Sequence, residues 1–210
     1  MIYLSGKIVK CTPHIGVMLS FNAGKQRTVG HKIFAADNGC FAQAEKYTDD
    51  GFLEWLNRLQ RKPCLFAVAP DVVGAAVATR DRAYPILPHI RKLGFKGAFV
   101  LQDGETPDQI RWHDIDAVFV GGSTKWKLSQ AAAEIVQEAK KRGKWAHMGR
   151  VNSFKRMRLA KIIGCDSVDG TFLAFAPNKN AVVLAKWMRD LHRQKKFNFM
   201  ERAYERINTV

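Results

Sequence analysis

The chain has 210 residues, 47% hydrophobic and 25% charged, with only 7 prolines, a composition that suits one globular core and excludes fibrous and disordered classes. No window holds 18 apolar residues in a row and "MIYLSGKIVKC" at the N-terminus lacks the apolar centre of a signal peptide, so neither a membrane span nor a secretory leader is expected. The net charge is +15 and uneven: residues 1–124 carry 15 basic and 12 acidic side chains, residues 125–210 carry 19 and 7, a balance that points to a polyanionic partner, most often nucleic acid.

In chain order, short apolar runs predict strands at 15–20 (IGVMLS), 33–37 (IFAAD), 64–69 (CLFAVA), 97–101 (GAFVL), 117–121 (AVFVG), 145–148 (WAHM) and 165–168 (CDSV). An eighth strand falls either on "IYLS" at the N-terminus or on "TFLAF" at 171–175. Helical spacing fills most of the gaps. "DGFLEWLNRLQR" sets Phe52, Leu53, Trp55, Leu56 and Leu59 on one face, and "GAAVATRDRAYPILPHIRKLG", "SQAAAEIVQEAKKRG", "SFKRMRLAKIIG" and "NAVVLAKWMRDLHRQ" repeat the pattern. Gly94, Gly143 and Gly164 stand where helix C-caps belong. Strand alternating with helix predicts a parallel sheet, and eight such units predict a compact α/β fold, a (β/α)8 TIM-like barrel in one domain over residues 1–210 with a basic C-terminal helix. An open doubly wound sheet is the competing architecture, but no glycine-rich dinucleotide fingerprint follows any strand.

Four of the predicted strands end on polar groups: Asp37, Asp71, Gln102 with Asp103, and Asp169. Alone, each reads as a turn former or a helix N-cap. Together, in a parallel barrel whose strand C-termini open into one mouth, they converge on one pocket. Cys11, Cys40, Cys64 and Cys165 lie far apart with no CxxC or CxC pair, which predicts buried free thiols and no zinc clip.

With those residues in view, the chain resembles a reduced member of the tRNA-guanine transglycosylase superfamily, most like the DNA 7-deazaguanine transglycosylases of the deazapurine DNA modification (DpdA) family found in phages and bacterial islands. "AADNGCFA" is similar to the family's Asp-Ser/Thr-Gly-Gly-Phe segment, "APDVVG" to its strand-end Asp segment, "VLQDG" to its Val-Gln-Gly segment and "FVGGS" to its Gly-Gly turn. "MGRVNSFKRMRLAKIIGCDSVDGT" resembles the strand, helix and Gly-Asp run that carries the nucleophile. The five blocks keep the family's order over about residues 33–172. The resemblance implies a nucleophile at Asp169, a general acid/base at Asp37, and purine contacts from Asp71 and Gln102 with the backbone of Gly121 and Gly122. It implies a free 7-deazaguanine base such as 7-cyano-7-deazaguanine (preQ0) as co-substrate, and no cofactor. The tRNA enzymes carry a zinc site of three Cys and one His near the C-terminus. This sequence lacks it, is far shorter, and has Cys40, Ser123 and Thr124 where the family pattern differs, departures that favour DNA over tRNA and leave the incoming base open.

The implied chemistry suits the residue types. Cleavage of an N-glycosidic bond passes through an oxocarbenium-like state that a carboxylate can trap covalently, and a second base can then displace that carboxylate. The departing purine needs a proton, hence a second acid. Purine amine and ring N–H groups are donors, for which a buried carboxylate and an amide are the right acceptors. A flipped-out or single-stranded nucleotide is required, because a stacked base cannot reach a barrel mouth. Lys125, Arg150, Lys155, Arg156 and Arg158 are the expected phosphate contacts, with "KKRGKW" (140–145) and "RQKK" (193–196) beside them. Trp126 is placed either to stack on a strand or to cap the core; His147, at a strand end, is placed either to face the pocket or to serve the structure, and carries no assigned role. The expected activity is a cytoplasmic DNA base exchange, in the host cytoplasm if the protein is phage-encoded. The alternatives are a tRNA-directed exchange, a base-releasing N-glycosylase or nucleoside hydrolase, and a nucleic-acid-binding barrel without catalysis.

Overall fold

A computed structural model of the protein describes residues 1–6, 14–21 and 33–193. Eight strands form a closed, all-parallel barrel in sequential order: β1 (Ile2–Ser5), β2 (Ile15–Ser20), β3 (Phe34–Asp37), β4 (Cys64–Val68), β5 (Gly97–Leu101), β6 (Ala117–Val120), β7 (Trp145–Met148) and β8 (Ser167–Gly170). The helices are α1 (Cys40–Gln43), α2 (Asp49–Arg58), α3 (Ala76–Lys92), α4 (Thr124–Lys127), α5 (Gln130–Lys141), α6 (Phe154–Ile163), α7 (Phe172–Phe175) and α8 (Pro177–Arg193). The expected (β/α)8 architecture is the observed one. β1 closes the ring, pairing Tyr3 with Ile15 of β2 on one side and Leu4 with Asp169 of β8 on the other. "TFLAF" is therefore not a strand: it is α7, because the barrel has already closed and the chain leaving β8 turns back over the rim.

Alternation along the strands sorts side chains into two cores. Leu4, Ala35, Phe66, Val68, Ala98, Val100 and Ala117, with Ile2, Met18, Phe119 and Trp145, fill the inside of the barrel. Large rings sit beside alanines there, so the lumen packs solid rather than remaining a pore. The outer core lies between strands and helices, where Phe52, Leu56, Ala83, Leu87, Ile90, Ile135, Val136, Met157, Ala160 and Leu184 are all at or near zero exposure. Each such side chain stabilises the fold by roughly 1.5–3 kcal/mol, less for alanine.

Local signals set the helix ends. Thr48, Ser129 and Ser153 each accept a backbone N–H at the start of α2, α5 and α6. α6 stops at Gly164, whose φ of 106 is the left-handed conformation expected of a C-cap glycine. α3 runs unbroken through Pro85 and Pro88, as its spacing predicts, although an interior proline costs about 3 kcal/mol. The burial of Ala83, Ile86, Leu87 and Ile90 on its inner face outweighs that cost. No helix of the described residues is long and apolar enough to cross a membrane.

Candidate active site

The strand C-termini open on a cavity of about 130 Å³. Met18, Val68, Val100 and Phe119, inward residues near the ends of their strands, line it together with Asp37, Asp71, Gln102 and Asp169, the backbone of Gly121 and Gly122, and Arg150. The six catalytic and base-binding residues expected from the sequence thus share one pocket. Its volume matches a single heterocycle: a cavity of about 150 Å³ admits benzene.

Asp37 ends β3, and its Oδ2 accepts from the Ser20 hydroxyl of β2 at 3.0 Å. Burial pushes its carboxyl up to about 6; the Ser20 bond pulls the other way, and the charges of Asp169 and Asp71 push further upward. A carboxyl in that range both gives and takes a proton near neutrality.

Asp71 is 7% exposed and sits in a polar frame. Its Oδ1 accepts from Asn38 Nδ2 at 2.9 Å and its Oδ2 from Gln102 Nε2 at 2.7 Å. Burial raises its pKa, and the two amide donors oppose that rise. The Gln102 amide oxygen takes two backbone donors, Gly74 N–H and Gly122 N–H, each at 2.9 Å. In this arrangement Gln102 has no acceptor left for a purine N–H and offers only its second amide hydrogen. Burial divides the four strand-end residues. Asp71 and Gln102 are buried, whereas Asp37 and Asp169 are half-buried.

Gly122 adopts φ +65, and a Cβ there would fall 2.7 Å from Asp103 Oδ2 and 2.8 Å from the Trp126 ring. Only glycine fits so tight a turn. Asp103 does not enter the pocket. It accepts from the Ser123 N–H and hydroxyl and latches the β5 loop to the β6 loop, bonds that hold its carboxyl below the usual range although burial opposes them. Ser123 in turn caps α4 through Trp126 N–H. Trp126 packs half-buried against the core, as a cap.

Asp169 is the last residue but one of β8 and is fixed from behind. Its Oδ1 lies 2.9 Å from His147 Nε2, while His147 Nδ1 and Trp145 Nε1 both meet the Ser167 hydroxyl, at 2.8 and 2.9 Å. Gly149 passes directly above, where a Cβ would stand 2.7 Å from the Phe119 ring and 3.3 Å from Asp169 Oδ1.

Arg150 is the one expected phosphate contact that lines the cavity. Its φ of 60 is unusual for a non-glycine residue, and its guanidinium donates to the Gly122 carbonyl while lying 4.9 Å from the centre of the exposed Phe41 ring. Lys125 and Lys155 are exposed at the starts of α4 and α6, at the mouth end of the barrel. Arg156 is half-buried and donates to the Arg150 carbonyl at 3.4 Å; Arg158, two residues further along α6, is also half-buried. "KKRGKW" is not at the mouth. It joins the end of α5 to the start of β7, hence at the opposite end of the barrel, where Lys140 pairs with Asp166 at 2.6 Å and Lys144 donates to the Ile115 carbonyl. Of "RQKK", residues 194–196 lie outside the described residues, as does the aromatic-basic tail beyond them and Cys11.

Four contributors escaped the sequence reading: Ser20, Asn38, Lys127 and His147. Lys127 is 2% exposed and donates to the Gly149 carbonyl at 2.7 Å. Burial and the neighbouring Arg150 push its ammonium down to about 7, against the pull of Asp169. Nothing in "KWKL" distinguishes the buried lysine from the exposed one. Cys40 and Cys165 are buried and Cys64 half-buried; burial pushes the Cys40 thiol up to about 11 and the Cys64 thiol up to about 12. Among the described residues, no group of three or more His, Cys, Asp or Glu is placed to hold a metal ion.

No family model and no curated protein matches the sequence. In shape the chain is similar to tryptophan synthase from M. tuberculosis in an open form, at TM-score 0.50 and 16% identity over 84% of this chain and 78% of that one. A second structure of the same enzyme aligns at 0.48 and 17%, over 77% and 60% of the two chains, and BlrP1 from Klebsiella pneumoniae at 0.44 and 14%, over 68% and 38%. The chain spans 60% of the length of that second tryptophan synthase structure. At these identities the likeness establishes the barrel fold alone.

Proposed function

We propose that the protein is a transglycosylase that exchanges guanine in DNA for a 7-deazaguanine derivative through a covalent aspartyl intermediate. The observation that carries this reading is the convergence of three carboxylates and one amide, from four different strands, on one apolar-floored cavity. In the forward step Asp169 attacks C1′ of the target nucleotide. The C1′–N9 pair leaves with guanine, and Asp37 supplies the proton that the departing base needs. The incoming 7-deazaguanine then gives its N9 proton to Asp37 and displaces the carboxylate, which regenerates Asp169. Asp71 accepts from the base's donor edge, and the second amide hydrogen of Gln102 serves its carbonyl. Arg150, Lys125 and Lys155 stand round the mouth, and the first turn of α6 has no acid to oppose a phosphate. Cations and helix N–H groups so placed suit the backbone of a flipped or single-stranded nucleotide.

The test is incubation with guanine-containing DNA and labelled guanine or 7-cyano-7-deazaguanine. Label should enter the DNA, and denaturing electrophoresis should reveal a protein–DNA adduct that Asp169→Asn abolishes while leaving the circular dichroism spectrum unchanged. Release of guanine without incorporation of label would instead identify a base-releasing glycosylase, and exchange into tRNA but not DNA would move the substrate to RNA.

A further inference from the structure

The geometry assigns His147 a positioning role: a neutral imidazole, locked as its Nε2–H tautomer by Ser167 and Trp145, holds one oxygen of Asp169 and leaves the other aimed at the pocket. This rests on the reading of Asp169 as a nucleophile, but the tautomer itself does not.

The four residues are consecutive inward positions on two adjacent strands, Trp145 and His147 on β7, Ser167 and Asp169 on β8, with His147 paired to Ser167 in register. The indole N–H can only donate, so at 2.9 Å the Ser167 hydroxyl oxygen must accept. The hydroxyl hydrogen then points to His147 Nδ1 at 2.8 Å, which makes that nitrogen the acceptor. The proton of a neutral ring is left on Nε2, and it meets Asp169 Oδ1 at 2.9 Å. Every donor in this chain has one acceptor. The other tautomer would set a nitrogen lone pair against a carboxylate oxygen, and both it and an imidazolium would make the Ser167 oxygen accept twice and leave the hydroxyl hydrogen without an acceptor in this chain of contacts. Ser167 and His147 are both wholly buried, so water does not relieve such a mismatch.

The ring cannot turn away. Phe119 and Phe66 flank it with centroids at 4.6 and 5.2 Å, and His147 itself does not line the cavity. Asp169 stands between imidazole and pocket. With Oδ1 tied back and Gly149 against it, Oδ2 is the oxygen available for attack. A carboxylate fixed in this way is held near the geometry of attack before the nucleotide arrives, and a misplacement of about 1 Å at such a group slows reaction about 100-fold.

Two measurements test the assignment. Long-range proton–nitrogen spectra of histidine-labelled protein distinguish Nε2–H, Nδ1–H and imidazolium rings, and His147→Gln identifies the signal. At neutral pH the parent should show the Nε2–H pattern, and Ser167→Ala should weaken it; an Nδ1–H or imidazolium pattern in the parent overturns the proposal whatever the protein's activity. The second measurement is the rate of adduct formation. His147→Leu should lower it about 100-fold with guanine affinity unchanged by calorimetry, and His147→Gln, which keeps an N–H donor near the Nε2 position, should restore most of it. Equal rates for Leu and parent, or equal loss in Leu and Gln, overturn the positioning role. A parent that forms no adduct but shows the Nε2–H ring leaves the tautomer standing and removes the glycosyl-transfer reading instead.

Discussion

Asp37 and Asp71 end neighbouring strands with the same side chain, yet their surroundings divide the work. Asp37 has one hydroxyl partner and two carboxylates nearby, and its pKa rises to about 6. An acid whose folded pKa exceeds its unfolded value of about 3.9 binds its proton more tightly when folded, so the protein loses stability as pH rises from about 4 through 6, and above that the full penalty is present. Asp37→Asn should therefore stabilise the fold at pH 8 by on the order of 1–3 kcal/mol and have little effect at pH 3.5, as measured by denaturant midpoints at the two pH values, while slowing exchange. Asp71 differs because both of its oxygens already accept from amides. Asp71→Asn turns one oxygen into a donor that faces Asn38 or Gln102 and leaves the base's donor edge unpaired, a loss of about 1–3 kcal/mol. Calorimetric titration with guanine and 7-cyano-7-deazaguanine should show affinity at least roughly tenfold weaker for this variant, and near the parent's for Asp37→Asn. Parent-like binding by Asp71→Asn would reduce Asp71 to a turn residue. Of this division, the carboxylates themselves were legible in the sequence, because acids that end apolar strands are conspicuous. Their partners were not: Ser20 lies 17 residues from Asp37, and Asn38 and Gln102 lie 33 and 31 from Asp71.

At the level of elements, the loop after β6 joins fold to site. Gly121 follows the inward Phe119, Gly122 turns with positive φ, and Ser123 starts α4 while bound to Asp103. Gly122→Ala places a methyl within 2.8 Å of both Asp103 and Trp126 and holds an L residue in left-handed backbone. The backbone term alone costs roughly 1–2 kcal/mol. The substitution should lower the urea midpoint without changing its slope and weaken base binding, since the Gly122 N–H moves away from Gln102 and the pocket. A variant as stable as the parent would mean that the loop adapts freely. The elements themselves were readable from periodicity, including α3 across both prolines. Periodicity leaves the eighth strand open between "IYLS" and "TFLAF"; the five apolar or small residues of "TFLAF" suit strand and helix alike, and only ring closure by "IYLS" as β1 decides.

The whole molecule carries +15, and the exposed mouth-end lysines are the clean probes of what that charge does. Lys125→Glu with Lys155→Glu should weaken DNA binding alike for every sequence and flatten the dependence of affinity on salt, as measured by fluorescence anisotropy between about 50 and 200 mM salt. Arg156 is a poorer probe because it also supports the Arg150 carbonyl. Binding that ignores salt, or that prefers tRNA, would remove the electrostatic DNA reading. By itself, the sequence determined the strand–helix alternation, the closed parallel barrel and the polar residues at its strand ends, because burial patterns and turn residues are local. Tertiary structure alone decided which strand closes the ring, which lysine is buried, that "KKRGKW" lies away from the mouth, and that His147 stands behind Asp169. Those facts depend on which distant residues are brought side by side when eight strands close, and spacing along the chain does not encode that contact.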